Sequence, residues 1–175
     1  MSKTTLKKQL ALMTAGQIAE LVLDLYAARP EAKEYLDFYV QPDIDKRLER
    51  AKSNIKKEIN RTSRGRNRAR ITRVRRIVKD ISSLNPGTEH VAEIMVYAIE
   101  AMCAAGSEQW IKETTQRATA RMLAEALQTA DSAGMLDIYL PRLREAVEGM
   151  KSSWFRSNEF KSLLKDALDD ALDSL

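Results

Sequence analysis

The sequence has very few of the residues on which most catalytic and metal sites depend. Its 175 residues include one cysteine, one histidine and six glycines, all of them isolated from one another. One cysteine excludes an internal disulfide, and one cysteine with one histidine cannot form a thiolate–imidazole zinc site. Without closely spaced glycines there is no Gly-rich loop to hold a phosphate. We therefore expect a protein that is not an enzyme and has neither a cofactor nor a metal ion.

Long hydrophobic runs are also missing. The longest apolar segment, residues 91–105, is interrupted by Glu93 and Glu100, which excludes a membrane span. The apolar stretch after Lys7 and Lys8 is too short for a signal peptide. The lone cysteine and the ordinary balance of 44% hydrophobic and 31% charged residues are typical of a cytoplasmic globular protein. The length fits one domain over residues 1–175, or at most two small lobes.

Two features could still carry chemistry, and a structural interpretation is stronger for both. His90 lies in the first turn of a predicted helix, where a capping or surface histidine is expected. Four C-terminal aspartates share part of one helix surface and could reach a divalent ion. Because they alternate with leucines on an amphipathic helix, we expect a solvated face instead. These aspartates are Asp166, Asp169, Asp170 and Asp173.

Apolar residues recur at helical spacing along nearly the whole chain, and no stretch alternates as a half-buried strand would. This pattern predicts an all-α fold, a compact array of seven to nine mostly antiparallel helices with short connections. The predicted helices cover about residues 3–12, 43–60, 68–84, 89–105, 108–130 and 158–173, with two more beginning near Thr14 and Pro30 and a pair interrupted at Pro141.

Positive charge is concentrated in one part of the chain. Between Lys46 and Lys79 there are 15 lysines and arginines but only two acids, Glu49 and Glu58, whereas the whole chain has a net charge of +4. The remaining residues are therefore acidic overall. The two helices predicted within residues 43–84 would form a basic hairpin with an Arg-rich tip.

The predicted fifth helix would bury one stripe and expose a nearly pure cationic face. Four of its apolar residues, Ile71, Val74, Val78 and Ile81, span about 80° of the helix at 100° per residue. The helix dipole opposes Arg68 and Arg70 near its start, and Arg75 meets Lys79 as a like-charged i,i+4 neighbour. Stability alone does not explain this arrangement, so we expect an anionic partner. The predicted anion-binding residues are Arg61, Arg64, Arg66, Arg68, Arg70, Arg73, Arg75, Arg76 and Lys79.

Three partners could supply the anion. Nucleic acid ranks first, because arginine pairs bidentately with phosphate. No aromatic residue lies between Tyr39 and Tyr97, so base stacking is unavailable and binding would be directed at the backbone without sequence specificity. An acidic protein surface, from a partner or a second copy, is the alternative, and a homo-oligomer stays open. An anionic membrane surface is a weaker candidate partner, because the basic helices lack the aromatic residues that are typical of interfacial helices.

Three segments of the chain resemble a bacterial family of small helical proteins that is catalogued only as a domain of unknown function. They are "LKKQLALMTAGQIAELVLDLYAARPEAKEYLDFYV", "ARITRVRRIVKDI" and "GMLDIYLPRLREAVE", in that order. The resemblance implies one compact helical domain with basic residues in the fifth helix. It implies no activity, cofactor or site residue.

Overall fold

A computed structural model describes residues 2–151 and 157–175 of the chain. Within these ranges every regular element is an α-helix and no strand occurs, so the predicted all-α fold is confirmed. The helices of the described ranges are α1 (Lys3–Leu10), α2 (Ala15–Ala28), α3 (Pro30–Val40), α4 (Ile44–Ile59), α5 (Ile71–Ser83), α6 (Thr88–Glu108), α7 (Glu113–Ser132), α8 (Leu136–Glu148) and α9 (Ser157–Asp173).

Backbone contacts divide the chain into two compact units, Met1–Asp43 and Ile44–Leu175. The prediction of one domain over residues 1–175 stays a prediction. In the first unit, α2 begins with a capping box: the Gln17 N–H donates to Thr14 Oγ1 at 3.2 Å, and the Thr14 N–H donates to Gln17 Oε1 at 2.9 Å. Pro30 occupies the first turn of α3, where its missing N–H has no consequence.

The second unit is built around α6. This helix packs against α4, α7 and α8, and its buried residues face in nearly every direction, as its apolar sequence predicts. The helix α5 returns beside α4 and also contacts α6 and α7, while α9 lies against α7 and α8. The largest buried side chains include Ile55, Ile99, Met102, Leu123 and Phe160. This core holds α4 and α5 together and leaves their polar faces outside.

The helix α5 begins later than the sequence predicts. The prediction places Arg68 and Arg70 on the helix, but α5 begins at Ile71 and Ala69 has a φ of 49°. The N–H groups of Ala69 and Arg70 donate to the carbonyls of Ile59 and Glu58 at the end of α4. These long-range hydrogen bonds replace the helical ones, and a run of good helix formers therefore folds as a loop.

Two other helix boundaries that the sequence predicts were wrong. Helix α6 continues through Gly106 to Glu108, and α7 begins only at Glu113, because Gly106 is needed for close packing rather than for ending the helix. The predicted break at Pro141 does not occur, since α8 is continuous across it. Tyr139 and Leu143 are buried on either side of Pro141, and this packing outweighs the lost hydrogen bond.

Candidate anion-binding surface

A short turn closes the loop between α4 and α5. In this tip loop (residues 60–70) the Thr62 N–H donates to the Arg66 carbonyl at 3.0 Å, and the Arg66 N–H donates to Thr62 Oγ1 at 3.1 Å. Gly65 completes the turn with a φ of +70°, a conformation that favours glycine. Arg64 and Arg66 are both exposed on this turn. Their positions are thus set by hydrogen bonds of the backbone and of one threonine.

A buried glutamine fixes the base of the tip loop. Gln109 is 2% exposed; its Nε2 donates to the Ile59 carbonyl at 2.8 Å, and its Oε1 accepts from the Arg68 N–H at 3.3 Å. One side chain therefore joins the end of α4 to the far side of the loop. Nothing in the sequence signals this role, because the contact spans 50 residues.

Two of the predicted anion-binding residues donate hydrogen bonds to backbone carbonyls of the fold. The Arg61 guanidinium donates to the Glu108 carbonyl at 2.7 Å, and the Arg68 guanidinium donates to the Lys57 carbonyl at 2.5 Å. Both carbonyls lie in the last turn of a helix, where backbone acceptors are unsatisfied and the dipole favours a cation. Arg68 is half-buried, and its Nε has no hydrogen-bond partner among the described residues. We therefore correct the position of Arg68, which lies on the loop and not on the exposed face of α5.

Three more arginines pair with carboxylates of the same chain. Arg70 and Arg73 share Glu58, at 3.4 and 3.5 Å, and Arg75 contacts Glu125 of α7 at 2.9 Å. The Arg73 side chain is still 65% exposed. Solvent-exposed pairs of this kind contribute about 0–1 kcal/mol. A phosphate could therefore displace the carboxylate from the arginine, or bind the same arginine beside it.

The side chains of the other four predicted residues are exposed and form no ion pair or hydrogen bond with a described residue. Two of them, Arg64 and Arg66, lie on the tip loop, and the other two, Arg76 and Lys79, lie one turn apart on α5. We call the nine predicted side chains together the basic surface. Across it, nine cations meet two carboxylates, Glu58 and Glu125. Seven of these nine side chains are exposed, and the other two, Arg68 and Arg75, are half-buried.

Cations of neighbouring helices add to this excess. On α4, Arg50, Lys56 and Lys57 are exposed. On α7, Arg121 is exposed one turn before Glu125, the residue that contacts Arg75. The sequence could not assign Arg121 to this surface, because no local pattern shows that α5 and α7 are neighbours.

A second charged cluster joins α4, α6 and α8. Arg142 donates to Glu93 at 2.7 Å and to both oxygens of Glu100 at 2.8 and 2.9 Å, and Lys52 lies 3.1 Å from Glu93. Burial alone would raise the pKa of Glu93, but hydrogen bonds from Arg142 and Lys52 outweigh it and hold that pKa below its usual range. The positive charges of Arg142 and Lys52 are balanced by the negative charges of Glu93 and Glu100. This arrangement indicates a structural role.

The cysteine, the histidine and the C-terminal aspartates lie in different environments. Burial raises the pKa of the Cys103 thiol to about 12, so it stays protonated and unreactive. His90 is half-buried with its Nε2 3.7 Å from Glu89 Oε1, beside an open groove of about 390 Å³. The four aspartates of α9 are exposed. Over residues 2–151 and 157–175, no group of His, Cys, Asp and Glu is arranged to hold a metal ion.

No helix in the described part of the chain has both the length and the apolar character needed to cross a bilayer.

Comparison with known proteins assigns the chain to a family. The model of a family of unknown function, DUF6155, matches residues 1–168. The chain belongs to DUF6155. The match to DUF6155 includes both units, the basic surface and most of α9. No curated protein and no solved structure matches the chain.

Proposed function

We propose that this protein is a non-enzymatic binding protein that docks an anionic partner, the backbone of a nucleic acid, through its basic surface. The observation that carries the proposal is that four cationic side chains are exposed and form no ion pair. Arg64, Arg66, Arg76 and Lys79 are exposed and unpaired among the described residues, on a surface where nine cations meet two carboxylates.

The arrangement suits phosphate. Arginine presents a planar fork that matches two phosphate oxygens, and a surface that concentrates arginines attracts polyanions over long range. The two pairs of free cations lie on different elements, the tip loop and α5, so a partner that meets both must present several negative groups. A nucleic-acid backbone does this, because it carries one phosphate per nucleotide.

The absence of aromatic side chains in the basic segment defines the mode of binding. Without Tyr, Phe or Trp between Tyr39 and Tyr97, the basic segment itself offers no aromatic side chain on which bases could stack. The contacts are therefore to phosphate and sugar, which position a protein without reading sequence. Binding is expected to be non-specific and strongly dependent on salt.

A salt titration tests the proposal. The full chain is titrated against labelled duplex DNA and single-stranded DNA of mixed sequence at several salt concentrations. If the four free cations contact phosphates, log K on duplex falls with log salt at a slope of about −3 to −4, which is about a 100-fold loss between 50 and 200 mM. The absence of measurable binding at about 50 mM salt would overturn the proposal.

Matched double variants locate the contact. Arg64→Ala with Arg66→Ala, and separately Arg76→Ala with Lys79→Ala, should each reduce the slope by about 2. Arg144→Ala with Lys165→Ala is the control, because these exposed cations lie beside Glu148 and Asp169 on another part of the second unit. Equal effects from the control pair would show that general charge, and not this surface, controls binding.

An acidic protein surface is the second candidate partner. The observation that favours it is that Arg70, Arg73 and Arg75 already form ion pairs with glutamate carboxylates. In that case the free cations would bind a polyglutamate probe more tightly than duplex DNA of the same total charge. The ratio of these two affinities, measured at one salt concentration, decides between the candidates.

A further inference from the structure

The short linker between α6 and α7 exposes a tryptophan. Trp110 is 56% exposed, whereas its two chain neighbours, Gln109 and Ile111, are 2% and 0% exposed. Gln109 has an extended backbone, with a φ of −143° and a ψ of 152°, and successive side chains of an extended chain point to opposite sides. Because both neighbours are anchored in the interior, the indole of Trp110 is turned outward.

Hydrogen bonds hold the linker on both sides of the indole. On one side, Gln109 donates to the Ile59 carbonyl at 2.8 Å and accepts from the Arg68 N–H at 3.3 Å. On the other side, the Ile111 carbonyl accepts from Nε2 of the buried Gln116 at 2.8 Å. An aromatic ring on a backbone fixed in this way loses little conformational entropy when a flat ligand packs on it.

The same contacts place the indole beside the base of the tip loop. The Arg61 guanidinium donates to the Glu108 carbonyl at 2.7 Å, two residues before Trp110. Consecutive Cα atoms are about 3.8 Å apart, so the Cα atoms of Glu108 and Trp110 are separated by no more than about 8 Å. Arg61 is exposed, and so is Lys112 on the far side of the indole. An exposed aromatic ring is thus flanked by cations and adjoins the basic surface.

A ring beside a cationic surface is suited to single-stranded nucleic acid. Cations contact the phosphates of such a strand while its bases stack on aromatic side chains, and stacking tolerates every sequence because every base has a π-face. In a duplex the bases are paired and stacked on one another, so their faces are not available to the indole. The basic segment has no aromatic residue, but the fold brings Trp110 to it from about 50 residues away along the chain.

We propose that Trp110 is a stacking site for an unpaired base, and that the strand held by the basic surface is therefore single-stranded. The proposal rests on the proposed function of that surface. The phosphates next to the stacked base would meet the cations of the tip loop. Arg61 can take part, because a guanidinium has five N–H donors and the Glu108 carbonyl needs only one of them.

Three DNA probes test the proposal on the full chain: an oligothymidylate of about 12 nucleotides, an abasic strand of the same length, and a duplex. At about 50 mM salt the wild type should bind the oligothymidylate at least about 5-fold more tightly than the abasic strand, which has the same phosphates but no bases. Trp110→Ala should lose this advantage, yet bind the abasic strand and the duplex as the wild type does. Trp110→Phe, which keeps a ring, should retain most of the advantage.

Ile138→Ala is the matched control, because Ile138 of α8 is also a large apolar residue with 56% exposure. It should change none of the three affinities. Arg64→Ala with Arg66→Ala should weaken the oligothymidylate and the abasic strand by the same factor, since both probes lose the same phosphate contacts. If the wild type binds both strands equally, or Trp110→Ala keeps the preference, the stacking site is refuted and the anion-binding surface stands. If no probe binds, the proposed function fails and the stacking site fails with it.

Fluorescence gives a second readout of the same contact. The chain has two tryptophans, so Trp154→Phe leaves Trp110 as the only indole that emits. A stacked base should quench this emission, so we expect quenching by the oligothymidylate and none by the abasic strand. Iodide should quench the free protein, because the indole is exposed. A lack of quenching by the oligothymidylate would contradict the proposal, and a lack of quenching by iodide would show that another part of the protein covers the indole.

Discussion

The side-chain amide of Gln109 donates to the backbone carbonyl of Ile59 at 2.8 Å and accepts from the Arg68 N–H at 3.3 Å. Gln109 follows the last residue of α6. Ile59 precedes the tip loop and Arg68 lies near its end, with Arg64 and Arg66 between them. The central helix of the second unit therefore controls the position of two proposed phosphate ligands without approaching a ligand itself.

Replacing Gln109 by alanine should loosen the tip loop. The substitution removes the partner of the Arg68 N–H and one of the two donors to the Ile59 carbonyl, which costs about 1–3 kcal/mol. The loop should also open more often, because only the backbone hydrogen bonds of Ala69 and Arg70 to Ile59 and Glu58 would still join its two ends at this point. We expect faster trypsin cleavage after Arg64 and Arg66 and a lower urea midpoint.

Gln116→Ala is the control for this prediction. Gln116 is also buried, and its Nε2 donates to the Ile111 carbonyl at 2.8 Å, within the segment that leads into α7. This variant should lose a similar amount of stability but leave the rate of loop cleavage unchanged when the two proteins are compared under folding conditions. Equal protection of Arg64 and Arg66 in both variants would show that Gln109 does not hold the loop.

Removing the charge of Glu58 should strengthen binding to a polyanion. Glu58 is shared by Arg70 and Arg73, at 3.4 and 3.5 Å, and it is the acid that competes most directly with a phosphate for these side chains. Glu58→Gln should release both arginines and make the salt slope on duplex DNA steeper by about 1–2. The measurement is the same salt titration, carried out on wild type and variant side by side.

The matched control is Glu113→Gln. Glu113 contacts Arg117 at 2.7 Å on α7, so this variant changes the net charge by the same amount and frees an arginine that does not pair with Glu58. We expect its slope to stay within about 0.3 of the wild-type value. If Glu58→Gln binds no more tightly than Glu113→Gln, then Arg70 and Arg73 do not take part in binding.

The sequence predicts the helices of this protein well because their apolar stripes and caps are local. The stripe from Ile71 to Ile81 is buried as predicted, and the capping box of Thr14 and Gln17 forms. The errors occur where residues distant in the sequence decide the outcome. The start of α5 depends on carbonyls of α4, and the path of α6 through Gly106 depends on Phe160 of α9.

The same distinction holds for the basic surface. Composition alone predicts a basic, exposed segment, but it cannot sort the nine cations by their partners. The contacts of Arg61 with Glu108 and of Arg75 with Glu125 each span about 50 residues, and no local pattern encodes them. Only the fold separates the arginines that support the structure from the four side chains that are free.

The cluster of Arg142, Glu93 and Glu100 should make stability depend on pH. Because the pKa of Glu93 is lower in the folded chain than in the unfolded chain, its contribution is fully present above the unfolded value of about 4.3. It is lost as the pH falls through the lower folded pKa. Arg142→Met removes three hydrogen bonds and leaves two carboxylates facing each other, so we expect a loss of about 2 kcal/mol at neutral pH.

Urea unfolding at several pH values checks this expectation. The difference between wild type and Arg142→Met should be constant from neutral pH down to about pH 5 and should shrink below about pH 4. Arg117→Met is the control, because Arg117 forms an exposed pair with Glu113 that contributes about 0.5 kcal/mol or less. A difference that persists unchanged in acid would mean that Arg142 stabilises the fold by packing and not through its charge.

One methyl group should have opposite effects at two glycines. At Gly106 of α6, an added Cβ would lie 2.8 Å from Cε1 of Phe160 and 2.9 Å from Cε of Met150, and Phe160 is fully buried. The ring cannot move without disturbing the contact between α6 and α9, so Gly106→Ala should lose about 1–3 kcal/mol in urea unfolding. At Gly16 of α2, the nearest atom is Thr14 Oγ1 at 4.0 Å, and alanine should add up to about 1 kcal/mol to the free energy of unfolding through its better helix propensity.

Phe160→Leu should be less harmful in the Gly106→Ala background than in wild type, because the smaller side chain makes room for the methyl group. Additive losses in that double-mutant cycle would show that the cost at Gly106 does not come from the Phe160 ring.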